Sequence, residues 1–245
     1  MMSRSPRLLW TRLAALAGRT LEQFGDPAQP SHYRDANASV GAEVDPRQRV
    51  VFLGDSIFEG WRGLEALAPP GLRFINRGIA GQTSGQMLAR FRHDVLSLGP
   101  SAVAILAGTN DLRAFMGDPA VVGAAAAVRV ARNITAMADL ARGSAAPVIL
   151  CALPPIRPGM SHAWGGAAKR DPGAILQVNA WLSDFSIDGG YVLIDFHAAL
   201  ADEDGGFARA LTDDGLHPNA AGYGRMAAVL SGAIEWLTLQ RQVIP

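Results

Sequence analysis

The chain has 245 residues, of which 49% are hydrophobic and 18% are charged, and its 22 basic side chains balance its 22 acidic ones. This length is enough to bury a substantial core and lies within the range of single-domain α/β folds. Because the net charge is zero, no global field concentrates nucleic acid or an anionic surface around the protein. The composition therefore predicts one main folded domain and no nucleic-acid partner.

The N-terminal residues combine basic and apolar side chains, as a signal peptide does. Arg12 and Arg19 interrupt the apolar run, and the uninterrupted stretch 13–17 is shorter than a usual signal core. We also find no segment that approaches a membrane-spanning length. We therefore expect a cytoplasmic protein without an integral membrane segment.

An amphipathic helix is predicted after Ser5 and Pro6, since this pair is typical of a helix start. One face of that helix would be apolar; it comprises Leu9, Leu13, Leu16 and Phe24. This face favours packing on the rest of the chain or on a second subunit, as in a homo-oligomer, over anchoring to a membrane surface. We thus expect an N-terminal extension over residues 1–47 and the main folded domain over residues 48–245.

Short apolar runs alternate with helical segments from residue 48 onward. The predicted strands are 50–53, 74–75, 102–107, 148–153 and 191–196, and the predicted helices are 84–98, 119–142, 175–187 and 219–239. Alternating strands and helices imply right-handed crossovers and a parallel sheet covered on both faces. The expected fold class is therefore α/β, with five parallel strands.

The single cysteine, Cys151, lies within one of these apolar runs. An intramolecular disulfide and a two-cysteine metal site are therefore excluded, and a small buried hydrophobe is the favoured interpretation. The chain contains no HExxH motif, no calcium-binding aspartate ladder and no phosphate-binding loop. We expect no metal and no cofactor.

Polar residues and glycines follow the predicted strands at the points where those strands end. Ser56, Gly81 and Asn110 come after the first three strands, and a long irregular loop, 154–173, follows the fourth. Ligands bind outside the carboxyl ends of strands in open α/β sheets. These segments should meet at one rim, and Trp164 within the long loop is a candidate for lining a cleft there.

Ser56 follows a run of strand type in VVFLGDSIFEGW, and a serine needs a neighbouring base to act as a nucleophile. Of the five histidines, His217 has the most suggestive context, because Asp214 precedes it by three residues in TDDGLHPNAAG. A carboxylate at this spacing can reach Nδ1 and leave Nε2 free to accept the serine proton. The segment is equally typical of an ordinary turn, with Asp213 and Asp214 as turn residues.

Three groups could stabilise an oxyanion formed at Ser56. They are the backbone N–H of Ser56, the backbone of Gly81, where no Cβ blocks a substrate, and the uncharged side-chain amide of Asn110. Asp55 and Asp111 lie beside these residues, but a carboxylate facing an oxyanion would raise the barrier. We therefore predict structural hydrogen bonds for both carboxylates.

Four segments resemble, in order, the signature blocks of the SGNH hydrolases, also called GDSL-type esterases and lipases. They are GDSIFEG at 54–60, the Gly81 segment, GTND at 108–111 and DGLHPN at 214–219. The wider context, including NRGIAGQT, resembles the bacterial branch related to platelet-activating-factor acetylhydrolase subunits. This resemblance implies a flavodoxin-like three-layer α/β/α sandwich.

For the site, the resemblance implies Ser56 as nucleophile, His217 as base and Asp214 as the acid that orients it. It also implies an oxyanion hole formed by the N–H groups of Ser56 and Gly81 and by the amide of Asn110. The chain departs from the family's first block at Ile57 and Phe58, and Phe58 is expected to narrow the acyl side of the cleft.

The sequence thus predicts a cofactor-independent serine esterase that acts on short acyl esters, acetyl above all, through an acyl-enzyme. One alternative is a carbohydrate acetylesterase, which export from the cell would favour. The other is a non-catalytic protein of the same fold that binds an acylated ligand, since a fold and its motifs do not prove turnover.

Overall fold

Five parallel strands form one sheet in the computed structural model, which describes residues 29, 31–45, 47–113, 118–160 and 166–243. The strands are β1 (Gln48–Gly54), β2 (Leu72–Gly78), β3 (Ala102–Ile105), β4 (Val148–Cys151) and β5 (Val192–Ile194), in the order β2-β1-β3-β4-β5. The predicted parallel α/β sheet is confirmed. Most residues of β1, β3 and β4 are buried, because helices cover both faces of the sheet.

The strand order changes direction at β1: β2 lies on one side of β1, and β3, β4 and β5 follow on the other side. β1 pairs with β2, Gly54 lying opposite Gly78, and on its other side with β3, Leu53 lying opposite Ile105. Loops that leave neighbouring strands on opposite sides of such a switch point open a crevice at the carboxyl edge of the sheet. The loops after β1, β2 and β3 are therefore adjacent.

Seven α-helices accompany the sheet among the described residues. They are α1 (Arg34–Ala42), α2 (Ser56–Glu59), α3 (Ser84–Asp94), α4 (Pro119–Arg142), α5 (Pro172–Gly189), α6 (Phe196–Leu200) and α7 (Ala220–Val243). Short 3₁₀ turns lie at Leu64–Leu67, Leu96–Leu98, Pro158–Met160, Ala167–Lys169 and Arg209–Leu211. The four longer predicted helices are present, whereas the prediction missed α1, α2 and α6.

The longer helices begin at caps that the sequence contains. Thr83 and Gln86 form a reciprocal capping box at the start of α3. The side chain of Asp118 accepts a hydrogen bond from the backbone of Ala120 at the start of α4, and Asp171 caps α5 in the same way. In both α4 and α5 a proline occupies the first turn, where its missing N–H costs nothing.

Among the described helices, α4 alone has the length and composition that a membrane crossing requires. This corrects the expectation that no segment reaches such a length. Part of the helix is buried in the fold instead: Ala126, Val130 and Ile134 lie in the core, and α4 packs between α3 and α5. Small apolar residues such as alanine and valine occupy the buried face of the helix because neighbouring helices pack closely against it.

α1 lies within a segment that the sequence presents as a polar stretch. Its Asn37 accepts a hydrogen bond from Nε of Arg77 at 2.8 Å and donates to Asp94 at 2.7 Å, while Val40 is buried. The helix therefore packs on the edge of the sheet through polar contacts, which hydrophobic periodicity does not reveal. The amphipathic helix predicted near residues 5–24 lies outside the described residues.

Candidate active site

Ser56 is the first residue of α2 and follows β1 after one intervening residue. That residue, Asp55, caps α2 by accepting a hydrogen bond from the backbone N–H of Ile57 at 2.9 Å. Gly54 permits the tight turn, since a Cβ there would lie 2.6 Å from the ring of Phe58. The Gly-Asp-Ser sequence thus ends the strand, starts a helix and leaves Ser56 partly exposed at the carboxyl edge of the sheet.

The side chains of Ser56, His217 and Asp214 form a continuous hydrogen-bonded chain. Oγ of Ser56 lies 3.0 Å from Nε2 of His217, and Nδ1 of the same ring lies 2.7 Å from Oδ2 of Asp214. A carboxylate can only accept, so the proton belongs on Nδ1. Nε2 is therefore left as the acceptor for the serine hydroxyl, as the sequence predicted.

The turn that carries Asp214 and His217 is held by its own polar groups. Oδ1 of Asp214 accepts from the backbone N–H groups of Leu216 and His217 at 2.9 and 2.8 Å. The hydroxyl of Thr212 donates to the carbonyl of His217 and accepts from the N–H of Gly215. Asp214 therefore has both of the roles that the sequence left open, as a turn residue and as the partner of the imidazole.

These contacts also set the ionisation of Asp214. Partial burial disfavours the charged carboxylate, but the hydrogen bonds from the backbone and ring of His217 and from the backbone of Leu216 outweigh it, so the pKa of Asp214 is lowered. The carboxylate is consequently ionised at neutral pH. It can stabilise an imidazolium on His217 without taking its proton.

The side-chain amide of Asn110 lies between the loops that carry Ser56 and Gly81. Its Nδ2 donates to the carbonyl of Gln82 at 3.1 Å and lies 3.4 Å from Oδ2 of Asp55. Gln82 follows Gly81 in the chain, and Asp55 precedes Ser56. The three loops that supply the predicted oxyanion donors are thus in contact with one another.

The backbone at the other two predicted donors suits the same task. Neither the N–H of Ser56 nor that of Gly81 donates a hydrogen bond to another residue in the described part of the chain. Gly81 is exposed and has a φ of +77°, in the left-handed region that L side chains rarely adopt. A larger residue at 81 would strain the loop and alter the direction of its N–H.

A family model for GDSL-like lipases and acylhydrolases matches residues 52–225. The chain belongs to the GDSL-like lipase/acylhydrolase family. The match includes the segments of Ser56, Gly81, Asn110, Asp214 and His217, so the resemblance stated from the four sequence blocks is confirmed.

Solved structures agree with this assignment. A GDSL-like lipase from Bacteroides thetaiotaomicron is 32% identical with a TM-score of 0.72, covering 86% of this chain and 98% of that one. A protein from Streptococcus pneumonia, described as a candidate platelet activating factor, is 20% identical with a TM-score of 0.67 and covers 89% and 98%. At that identity the second similarity supports the fold alone.

One relative is a protein with a named enzymatic activity. The acetylxylan esterase of Geobacillus stearothermophilus is 28% identical over 93 residues, which cover 29% of this chain and 42% of that enzyme. The chain therefore matches less than half the length of this relative.

Two carboxylates beside the site, the half-buried Asp111 and the buried Asp55, make structural hydrogen bonds, as predicted. Asp111 accepts hydrogen bonds from the backbone N–H and the hydroxyl of Ser84 at 2.7 and 2.6 Å. Asp55, only 1% exposed, caps α2. Burial raises the pKa of Asp55 to about 6, although the hydrogen bond from Ile57 opposes this shift.

The stability of the acylhydrolase should consequently depend on pH through Asp55. Its pKa in the folded protein, about 6, exceeds the ordinary value of 3.8. The folded state therefore keeps the proton where the unfolded chain has lost it, and the free energy of unfolding falls as pH rises from about 4 through 6. Asp55→Asn keeps the cap to Ile57 and does not titrate. As pH rises from about 4 to 8, its free energy of unfolding should therefore increase by roughly 3 kcal/mol relative to that of the wild type.

Urea denaturation of wild type and Asp55→Asn across this pH range measures the effect. The exposed residue Asp213 supplies the control, because Asp213→Asn should leave the pH dependence of the wild type unchanged. Parallel curves for wild type and Asp55→Asn would show that burial does not shift the ionisation of Asp55.

The structure corrects one predicted substrate contact. Phe58 was expected to narrow the acyl side of the cleft, but its side chain is 0% exposed and packs against Phe52 and Trp61. The reason is that α2 turns back over the sheet directly after Ser56, so that Phe58 faces the core. Trp164, the other predicted contact, lies outside the described residues.

Two arginines of the loop after β4 contact the site and were not predicted. The backbone N–H of Arg157 donates to the carbonyl of Gly215 at 2.8 Å, and Nη2 of Arg170 donates to Oδ1 of Asn110 at 2.8 Å. The one sequence signal for them was the length of this irregular loop. Within the described residues, no group of three or more histidine, cysteine, aspartate or glutamate side chains could hold a metal ion.

Proposed function

We propose that this acylhydrolase is a serine esterase that hydrolyses short-chain carboxylic esters, acetyl esters first, through an acyl-enzyme and without a cofactor. The observation that carries the proposal is the hydrogen-bonded chain from Oγ of Ser56 through His217 to Asp214, with distances of 3.0 and 2.7 Å. A serine hydroxyl is a weak nucleophile, and this arrangement supplies both the base and the group that orients it.

In the first half-reaction, Oγ of Ser56 attacks the carbonyl carbon while Nε2 of His217 takes the hydroxyl proton. The electron pair of the C=O double bond moves onto the carbonyl oxygen. The N–H groups of Ser56 and Gly81 and the amide of Asn110 would donate to that oxyanion. When the tetrahedral intermediate collapses, the C–O bond to the alcohol breaks, and the leaving oxygen takes the proton from His217.

In the second half-reaction, water replaces the alcohol. Nε2 of His217 removes a proton from the water, whose oxygen attacks the acyl carbon. The same three donors stabilise the second oxyanion. Collapse breaks the bond to Ser56, which regains its proton, and the carboxylic acid leaves. Asp214 remains ionised throughout and stabilises the imidazolium formed in each half.

The preference for short acyl groups is supported by the similarity to an acetylxylan esterase. We expect kcat/KM for p-nitrophenyl esters to be highest for acetyl and to fall as the chain lengthens to palmitoyl. A panel of such esters, measured at equal concentrations below KM, tests this. A maximum at palmitoyl would contradict the short-chain assignment while leaving ester hydrolysis itself in place.

A carbohydrate acetylesterase is the second candidate, and the same relative favours it, because that protein is named for acetylated xylan. Acetylated xylo-oligosaccharides, assayed beside p-nitrophenyl acetate, separate the two candidates. Release of acetate from the sugars with the higher kcat/KM would identify a carbohydrate substrate.

Removing the side-chain donor of the oxyanion hole should slow the chemical step selectively. Asn110→Ala is expected to lower kcat by about 10²-fold to 10³-fold with little change in KM, because the oxyanion develops only in the transition state. Steady-state kinetics with p-nitrophenyl acetate measure this change.

The matched control is Asn133→Ala, since Asn133 is also half-buried and donates to a neighbouring hydroxyl, that of Ser84, at 2.9 Å. Its kcat should remain close to that of the wild type. An Asn110→Ala variant with unchanged kcat would remove Asn110 from the oxyanion hole.

A further inference from the structure

Behind Asn110 lies a buried arginine that touches no part of the proposed triad. Arg170 is 3% exposed and donates three hydrogen bonds. Its Nε donates to the carbonyl of Thr109 at 2.6 Å, its Nη1 to the carbonyl of Gly166, and its Nη2 to Oδ1 of Asn110 at 2.8 Å. The guanidinium thus binds both the backbone before Asn110 and the side chain of Asn110.

The neighbours of the Asn110 amide permit one orientation only. A guanidinium has donors and no acceptor, so the atom that faces Arg170 must be the amide oxygen. Nδ2 on the other side faces two acceptors, the carbonyl of Gln82 and the carboxylate of Asp55. A flipped amide would set NH₂ against the guanidinium and its oxygen against those acceptors, which loses every one of these hydrogen bonds.

We propose that Arg170 is a positioning residue that fixes the amide of Asn110, with one N–H of Nδ2 on the carbonyl of Gln82 and the second, which meets Oδ2 of Asp55 only at 3.4 Å, placed to donate to the oxyanion. This inference rests on the proposed esterase function and deepens it. Arg170 acts through Asn110, because its own side chain is buried away from substrate. Since the oxyanion exists only in the transition state, loss of Arg170 should lower kcat and leave KM nearly unchanged.

Hydrogen bonds hold the described residues near both ends of the loop that carries Arg170. The loop ends where Asp171 caps α5. Near its other end, Arg157 donates from its backbone to Gly215 at 2.8 Å and from Nε to the carbonyl of Phe207 at 2.6 Å. Described residues on either side of 161–165 therefore contact the turn that bears His217 and the side chain of Asn110.

The charge of Arg170 is maintained despite its burial. Burial and, to a smaller extent, the nearby Arg113 lower the pKa of its guanidinium to about 10, while Asp55 and Asp214 oppose the shift. The group remains protonated at neutral pH, where all of its N–H bonds are available as donors. The interaction should therefore be constant across the neutral range.

Kinetics of Arg170→Met, Asn110→Ala and the double variant test the inference. We expect Arg170→Met to lower kcat by about 10-fold to 100-fold, with KM within about 3-fold of the wild type. If Arg170 acts through Asn110, the double variant should be no slower than Asn110→Ala alone. The inference would be overturned if the decreases in kcat of the two single variants multiplied in the double variant. An unchanged kcat in Arg170→Met would also overturn it.

Arg49→Met is the matched control, since Arg49 is half-buried, donates to the backbone carbonyls of Leu98 and Val40, and lies at the amino end of β1, opposite the carboxyl end that Ser56 follows. Its kcat should stay near the wild-type value. Arg170→Lys is the milder second variant, because it keeps the charge while one nitrogen cannot replace three donors in a fixed fork. It should also lose kcat, and a full rescue by lysine would overturn the inference.

A readout independent of turnover separates this inference from the proposed function. In ¹⁵N NMR spectra, the side-chain amide resonances of Asn110 should shift in both Arg170 variants and stay fixed in Arg49→Met. If wild type and Ser56→Ala hydrolyse esters equally, the proposed function fails, and these resonances alone then decide whether Arg170 holds Asn110. Unchanged resonances in both Arg170 variants would refute the link.

Discussion

Replacing Ser56 with alanine is expected to reduce kcat/KM for p-nitrophenyl acetate by about 10⁵-fold, because no other described group near His217 is placed to form the acyl-enzyme. The fold should tolerate the change. The hydroxyl of Ser56 is partly exposed and, among the described residues, bonds to the imidazole alone, and α2 keeps its cap from Asp55. Initial rates at low substrate concentration measure the loss, and circular dichroism verifies the fold.

The control for this prediction is Ser231→Ala, which removes an exposed hydroxyl on α7 that bonds to the backbone of Ala227. Its activity should match the wild type. A fluorophosphonate probe gives a second readout, because it should label wild type at Ser56 and fail to label Ser56→Ala. Intact protein that resists the probe and hydrolyses no ester would favour the alternative of a non-catalytic protein that binds an acylated ligand.

The triad should also behave as a unit. Once Ser56 is absent, the imidazole has no hydroxyl to deprotonate, so a further change at His217 should cost little. The oxyanion donors should still contribute when Ser56 is absent, because they can polarise a carbonyl group that water attacks directly. Residual activity of Ser56→Ala should therefore depend on Asn110 more than on His217.

The sheet could be predicted because turn-forming and capping residues in the sequence mark the ends of its strands and helices. β1 ends at Gly54 and Asp55, and α4 starts at Asp118 and Pro119, so that local residues define both boundaries. Buried parallel strands are apolar on both faces, which makes each one a short continuous run in the sequence. The prediction that the loops meet at one rim then followed from the rule that ligands bind at the carboxyl edge.

The missed elements are stabilised by distant residues. α1 packs through Asn37 and Tyr33, whose partners Arg77, Asp94 and Gly78 lie on β2 and α3 or at their ends. The helix buries only Asn37 and Val40, so it has no apolar periodicity that a sequence search would find. The burial of Phe58 depends likewise on how α2 turns after Ser56, which no residue count along the chain reveals.

Within the site, the residues that donate or accept directly were visible in the motifs, as were the supporting carboxylates Asp55 and Asp111, but other supports were not. Asn76 donates to the carbonyl of Phe58 at 2.6 Å and accepts from Gly78, so it connects α2 to the end of β2. Arg170 had no motif at all, because an arginine in an irregular loop is ordinary. Only the folded chain places it against Asn110.

Changing Asp214 to asparagine is expected to lower kcat by about 10⁴-fold while the turn stays folded. Oδ1 of Asp214 holds the turn through Leu216 and His217, and the asparagine oxygen can keep both bonds. The amide NH₂ would then face Nδ1 of His217, where a carboxylate oxygen now accepts at 2.7 Å. A donor at that position favours the tautomer with the proton on Nε2, which cannot accept the proton of Ser56.

Asp213→Asn is the matched control, because Asp213 is the adjacent, exposed carboxylate, whose side chain accepts from Asn219 at 3.4 Å and from no other residue that the structure describes. It removes the same charge one residue away and should leave kcat near the wild-type value. ¹⁵N NMR of His217 then distinguishes the causes: the tautomer should switch in Asp214→Asn and remain in Asp213→Asn. Equal loss of activity in the two variants would mean that net charge near the turn, rather than the contact to Nδ1, governs the reactivity of Ser56.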